Sequence, residues 1–338
     1  MDIVTQGLAG AVLAQSVSKK EETRVAMAIG FLAGLFADID ALFTHNATDP
    51  LLELEFHRHF SHAILFIPIG GFAVACLLWL FFRNVLPFKR IWLFSTIAYA
   101  SSGLIDACTS YGTHLLWPFS DARTAWNIIA IIDPLFSFAL ILGIGYAAFK
   151  RNPKFAIAGV SFALSYLIVG AVQHQRAEVM LTDLAATRGH TMERFEVKPT
   201  MGNLVLWRSV YAFDGHFYAD GIRLSLFGEN RYYEGQSIKQ FETTDLPELK
   251  PDSVMAKDIQ RFAFFSNHYT GLIMGEHMVV GDIRYAMLPN LVKPIWGIEL
   301  DLDNQHQHTP FKQYHDLTQE QRNMFLAMLM GEEISGSK

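Results

Sequence analysis

Apolar residues gather in long runs over the first half of the chain and alternate with polar ones over the second. Residues 62–82 hold no Asp, Glu, Lys or Arg. At about 1.5 Å rise per residue, a helix of that length crosses a hydrocarbon core of about 30 Å. Residues 155–175 form a second uncharged run, and 128–149 a third, interrupted only by Asp133. The run at 91–105 reaches spanning length only by continuing to about Thr109, which carries Asp106 to the membrane edge. Residues 3–18 and 25–37 are uncharged but short: two short spans, a re-entrant pair, or helices packed inside the bundle. Gly7, Gly10, Ala11, Ala14, Ala26, Gly30, Ala33 and Gly34 recur at spacings that let helices approach closely in lipid. The pattern predicts about five membrane helices.

Near His174 the period changes. Residues 174–190 read as an amphipathic helix with Val179, Leu181, Leu184 and Ala185 on one side. Residues 203–213 and 216–226 alternate, joined by Asp214-Gly215, a hairpin signal. Further strand-like stretches are 278–288 and 294–302. Residues 251–264 and 316–331 predict helices, the last with Asp316 and Thr318 as cap oxygens. The expected fold is thus an α-helical multi-pass membrane bundle over residues 1–173, which carries the metal site argued below, followed by a C-terminal α+β aqueous domain over 174–338.

Composition supports this division. Hydrophobic residues make up 51% of 338, and the net charge of −6 arises entirely after residue 173. No basic surface suited to a polyanion stands out, so nucleic acid is not expected as a partner. Two cysteines, Cys76 and Cys108, exclude a disulfide framework. The opening Met1-Asp2 lacks the basic n-region of a cleaved signal peptide. Basic residues cluster in the loops 19–24, 83–90 and 150–154, while 38–61 and 106–127 hold only Arg58 and Arg123. That bias places the first three loops in the cytoplasm and the other two, with the C-terminal domain, on the extracytoplasmic side.

Those two loops hold the candidate chemistry. Asp38-Ile39-Asp40 ends one apolar run, His57-Arg58-His59-Phe60-Ser61-His62 opens the next, and Asp106 brings His114 with it. Ionisable groups at membrane depth need partners. Carboxylates with imidazoles suit zinc, manganese or iron. His59 and His62, three apart, would share a helix face. Asp38 and Asp40 would point the same way if their segment were extended. Taken singly, a DxD at a helix end is a cap, and a His triplet is a headgroup belt; their convergence on one membrane face favours a metal site. Asp133 before Pro134 reads as a helix start or as a carboxylate orienting a ligand His. Asp121 caps a turn or neutralises Arg123. In the C-terminal domain His268, His277, His306, His308 and His315 read mainly as loop residues, with His306-Gln307-His308 a weaker metal candidate. Trp207, Tyr211, Phe217, Tyr218, Tyr232 and Tyr233 read as core or sheet-face residues.

At Gly7, Gly10, ADID at 37–40, HRHFSHA at 57–63 and DACTSYGTHLLWPFS at 106–120, the chain resembles the membrane-bound metal-dependent hydrolase family that includes the LexA-regulated inner-membrane hydrolases of bacteria. The resemblance covers roughly residues 1–150. It implies a multi-pass protein of the bacterial inner membrane with a divalent metal, zinc foremost and manganese or iron as alternatives, at Asp38, Asp40, His57, His62 and Asp106. It also implies a distant relation to zinc-dependent phospholipase C and P1 nuclease. Two positions depart from the family pattern: Gln6 stands where many members have a histidine, and Ala41 where many read DIDH. His45, His59 or His114 would compensate. The expected activity is hydrolysis of a phosphoester or lipid ester, with a membrane lipid or lipid-linked substrate. Arg58 would stabilise negative charge, and His59 or His114 would act as general acid. The rival expectations are a divalent-metal transporter or sensor built on the same residues, and a non-enzymatic scaffold.

Overall fold

The computed structural model describes residues 1–40, 48–201, 204–225, 228–314 and 316–334. Ala41, His45 and His315 lie outside the described residues. The chain divides into two compact units. One is Met1–His45 with Phe56–Gln173 and Met201–Leu204; the other is Asn46–Glu55 with His174–Thr200 and Val205–Lys338.

The first unit is helical. Helix α1 (Ile3–Ser16) starts at Asp2, whose carboxylate accepts from the Thr5 amide at 3.0 Å. Helix α2 (Thr23–Leu35) packs tightly against it, because Gly10 of α1 lies on the Gly30 carbonyl of α2 with no room for a side chain between them. These helices are 14 and 13 residues long, short of spanning length, and bury nine and six residues respectively. A short helix α3 (Leu52–Phe56) falls almost wholly in the other unit. Helix α4 (Ile67–Phe82) follows a 3-10 turn, so that Ile64–Phe82 forms one apolar span of 19 residues. Helix α5 (Phe88–Cys108, 21 residues) and helix α7 (Pro153–Thr187, 35 residues) also have spanning length and apolarity. Helix α6 (Pro134–Lys150) is apolar but has only 17 residues. Its start is fixed by Asp133, which accepts from the Leu135 and Phe136 amides at 3.1 Å and from the Tyr166 hydroxyl at 2.7 Å. The run at 128–149 therefore begins as loop rather than helix, and Asp133 is a helix cap. Among the described residues three helices, against the about five expected, are long and apolar enough to cross a membrane.

The amphipathic stretch at 174–190 is not a separate helix. It continues α7 without a break, since no proline and no glycine stand between Gly170 and Gly189.

The second unit holds two antiparallel sheets with helices. The first runs β1 (Arg194–Pro199), β2 (Leu206–Phe213), β3 (His216–Arg223) and β4 (Arg231–Tyr233), with β5 (Ser237–Lys239) also on β3. The second runs β6 (Thr270–Met274), β7 (Met278–Asp282), β8 (Trp296–Leu300) and β9 (Phe311–Gln313). Asp214 and Gly215 both take positive φ, 47° and 69°, as a two-residue hairpin turn requires. That turn sets Phe213 opposite His216 and pairs Tyr211 with Tyr218, whose rings stack at 5.1 Å. Helices α8 (Val254–Phe265) and α9 (Gln319–Met330) lie close to the predicted helical stretches; a Thr318–Gln321 capping box opens α9. The core around α8 takes in Leu51 and Leu54 from the chain preceding His57, packed with Met255, Ile259 and Phe262. Arg261 fastens the same stretch through Asp49 at 2.8 Å and Glu55 at 2.7 Å.

Candidate metal centre

Three segments of the first unit bring their acids and imidazoles together. Asp38 and Asp40 lie on a 3-10 turn, Phe36–Asp40, that continues α2, not on an extended segment. The histidine segment is not the first turn of α4 either. Arg58 takes a left-handed φ of 59°, a 3-10 turn covers Phe60–His62, and Ala63 is extended before the helix begins. Such a conformation persists where surroundings hold it on several sides. Here the Arg58 amide donates to Asp40 Oδ2 at 2.9 Å, and the Arg58 carbonyl accepts from the His114 amide at 3.2 Å and the Thr113 hydroxyl at 3.1 Å. His59 and His62 consequently share no helix face. Gly103 of α5 completes the seat: a Cβ there would collide with the His62 carbonyl oxygen.

The resulting distances are short. His62 Nε2 lies 3.2 Å from Asp38 Oδ1 and 3.1 Å from Asp106 Oδ2. His62 Nδ1 lies 3.6 Å from Asp40 Oδ2, and His57 Nδ1 lies 3.5 Å from Asp40 Oδ1. Two triads result, Asp38–His62–Asp106 and Asp38–Asp40–His57, each with donor atoms mutually within 4.8 Å. Asp38 belongs to both. Asp38 Oδ1, Asp40 Oδ1, His57 Nδ1 and His62 Nε2 are buried, yet none makes a geometrically sound hydrogen bond. Buried polar atoms rarely stay unpaired. Donors bound to one zinc at 2.0–2.1 Å sit roughly 3.3 Å apart at tetrahedral angles, and the separations here bracket that value. The donor set therefore fits a divalent cation.

The surroundings hold these groups as anions. Burial alone would raise Asp40, but His57, His62 and Ser61 outweigh it and hold the carboxyl below the ordinary range. Ser61 Oγ donates to Asp40 Oδ2 at 2.7 Å. Removing a hydrogen-bond partner that orients a ligand typically weakens metal binding by about 10–100-fold. Ser61→Ala should lower zinc affinity by that factor in equilibrium dialysis while the fold is kept.

Asp106, fully buried, is held by Arg58 Nε at 3.0 Å, by Gln6 Nε2 at 3.0 Å and by the Met1 amino group. Arg58 also donates to the Met1 carbonyl at 3.0 Å and is 5% exposed. Arg58 thus links Asp106 to the Met1 carbonyl within the site. Gln6 enters the site as a hydrogen-bond donor to Asp106.

His59 and His114 lie outside both triads. Their rings are 4.6 Å apart, and His59 is 5.5 Å from Trp117. Burial, then the charges of Arg123 and His59, push His114 down to about 4; burial likewise lowers His59. Both are therefore held toward the neutral form, which suits an imidazole that accepts a proton.

In the second unit, Asp49, Asp258 and His308 form a third group. Asp258 is already bound by Arg261 at 3.1 Å, His308 at 3.0 Å and the Thr309 amide at 2.9 Å, so this is an ion-pair network. His306 and His308 stand in a loop, not on a strand.

The model of the YdjM inner membrane protein family matches residues 1–177, which contain both triads. The chain belongs to this family. Over 145 residues it is 26% identical to the uncharacterized protein YfhP of Bacillus subtilis strain 168, a stretch that covers 43% of this chain and 42% of that one. The chain thus spans less than half the length of that relative. No solved structure matches. Membership in an inner membrane family agrees with the three apolar spans, and the family's stretch ends close to Gln173, where the first unit gives way along α7.

Proposed function

We propose that this chain is a membrane-bound metal-dependent hydrolase that cleaves a phosphoester at the membrane–water interface, on the side of the 38–61 and 106–127 loops. The reading is carried by one observation: buried carboxylate and imidazole atoms from three separate segments converge to ligand–ligand spacing without hydrogen bonding one another. Asp38, His62 and Asp106 would hold one cation; Asp40 and His57 extend the donor set around the shared Asp38. When bound, zinc or a similar ion supplies Lewis-acid polarisation of the ester oxygen. Arg58 fixes Asp106, Ser61 fixes Asp40, and the His59–His114 pair stands ready to take a proton from an attacking water. A substrate drawn from the bilayer suits a site beside α4 and α5, both apolar helices. The basic-loop bias supports an extracytoplasmic site.

Purified protein tests this directly. Zinc-dependent hydrolysis of a generic phosphodiester is expected from the wild type, falling to the buffer rate in His62→Ala. Metal flux into liposomes without turnover would replace the hydrolase with a transporter. Absence of both activities, with no effect of His62→Ala on function, would leave a scaffold.

A further inference from the structure

The stretch that joins α5 to α6 is tied to the ends of two apolar spans. The amide of Ile64, the first residue of the span Ile64–Phe82, donates to the Leu115 carbonyl at 3.0 Å. At the end of the span Phe88–Cys108, the Trp126 amide donates to the Ala107 carbonyl at 2.7 Å and the Ile128 amide to the Cys108 carbonyl at 2.9 Å. Leu115 and Trp126 therefore lie level with the ends of two helices that are long and apolar enough to cross a bilayer. Between them, residues 115–120 carry no charge. The Trp117 amide closes on the His114 carbonyl at 3.2 Å and the Phe119 amide on the Leu116 carbonyl at 2.9 Å, so this piece is a tight turn with a fixed backbone.

The turn has two faces. Trp117, half-buried, packs inward, with its ring 5.5 Å from His59 and 6.4 Å from Phe60. Leu116 and Phe119 are exposed, and Phe119, at 83%, is the most exposed large apolar side chain among the described residues. Trp126 is exposed too, as are Ile64 and Leu65 across the Ile64–Leu115 bond. Apolar side chains gathered on a surface mark a partner or a membrane. The level of these residues decides between them, because the hydrocarbon begins where the two spans end. Tryptophan, phenylalanine and leucine are also the side chains that seat a segment at the boundary between headgroups and acyl chains.

We propose that the turn at 115–120, together with Trp126, is a lipid-seated loop whose Leu116 and Phe119 side chains insert into the leaflet around the Ile64 and Cys108 ends of the two spans. His62 precedes Ile64 by two residues, and Asp106 precedes Cys108 by two. The Asp/His cluster thus stands at the depth of the inserted turn. The occupant of the apolar face is the bilayer itself, and the inference needs neither metal nor turnover.

Depth measurement tests it. Full-length protein is reconstituted in vesicles of phosphatidylcholine and phosphatidylglycerol, in a Cys76→Ser background, since Cys76 is exposed and Cys108 is buried. A nitroxide is attached at Leu116→Cys or Phe119→Cys, with Ile69→Cys on α4 as the lipid reference and Thr244→Cys in the second unit as the aqueous one. Relaxation by dissolved oxygen, which concentrates in lipid, is compared with relaxation by a water-soluble nickel chelate. The oxygen-to-nickel ratio at Leu116 and Phe119 should lie above that at Thr244 and toward that at Ile69. A ratio equal to that at Thr244 puts the turn in water and overturns the proposal. Labels shielded from both reagents overturn it as well, and assign the face to a second copy or another part of the protein. Should the cysteine variants not fold, wild type is irradiated in the same vesicles with a phosphatidylcholine that carries a diazirine near the glycerol end of its acyl chain. Adducts on the peptide holding Leu116 and Phe119 support the proposal, and their absence there overturns it. The hydrolase reading stands or falls separately, on zinc and turnover.

Discussion

Replacing Asp38 with alanine should strip the metal from the purified protein. Asp38 is the one residue common to both triads, so its loss leaves His62 with Asp106 on one side and His57 with Asp40 on the other. Neither pair provides the three protein ligands usual for a zinc site. Elemental analysis of detergent-purified wild type should find stoichiometric metal, one ion or two, while Asp38→Ala should retain almost none after dialysis. The same variant should keep its helices by circular dichroism, because Asp38 makes no ion pair that fastens one helix to another beyond its approach to His62. Metal retained in full by Asp38→Ala, or absent from the wild type, would end the metal reading.

The convergence was legible in the sequence because each polar cluster sits at the end of an apolar run, where a charge has few places to go except toward another polar end. Local conformation was not. Whether Asp38 and Asp40 extend or coil depends on what their carboxylates meet, and the answer, Arg58 and Ser61 for Asp40 and His62 for Asp38, lies on a distant segment and is tertiary. The same holds for the left-handed Arg58, which no propensity favours and which only the Asp40, Thr113 and His114 contacts sustain. Gln6 reaches Asp106 across about a hundred residues of chain, with no local pattern to announce it. Helix α7 hid its length because charge enters at Arg176 while apolar positions continue, so a change of surface pattern looked like a change of element. The strands β1 and β6 carried no turn signal strong enough to mark them. Leu51 and Leu54 were unread for another reason: a short apolar stretch between two candidate ligand segments gives no hint that it packs in the other unit's core.

The largest effect on stability should come from Arg58→Ala. Arg58 and Asp106 form a pair at 3.0 Å with both side chains buried. Removing Arg58 leaves the buried Asp106 with the Met1 amino group as its remaining paired cation, beside His62 and Gln6, so the loss should approach but not reach the about 3–5 kcal/mol typical of a buried charge left with no partner. The substitution also removes the bond to the Met1 carbonyl and the stacking on Tyr111. Unfolding in detergent, followed by denaturant titration in the presence of a chelator, should therefore show a lower midpoint for Arg58→Ala than for wild type. Zinc changes the comparison in a definite direction. A cation beside Asp106 supplies the positive charge that the variant lacks, so added zinc should recover more stability in Arg58→Ala than in wild type. An equal gain in both proteins would mean that Asp106 does not sense the metal, and would remove it from the ligand set while leaving the Asp38–Asp40–His57 triad intact.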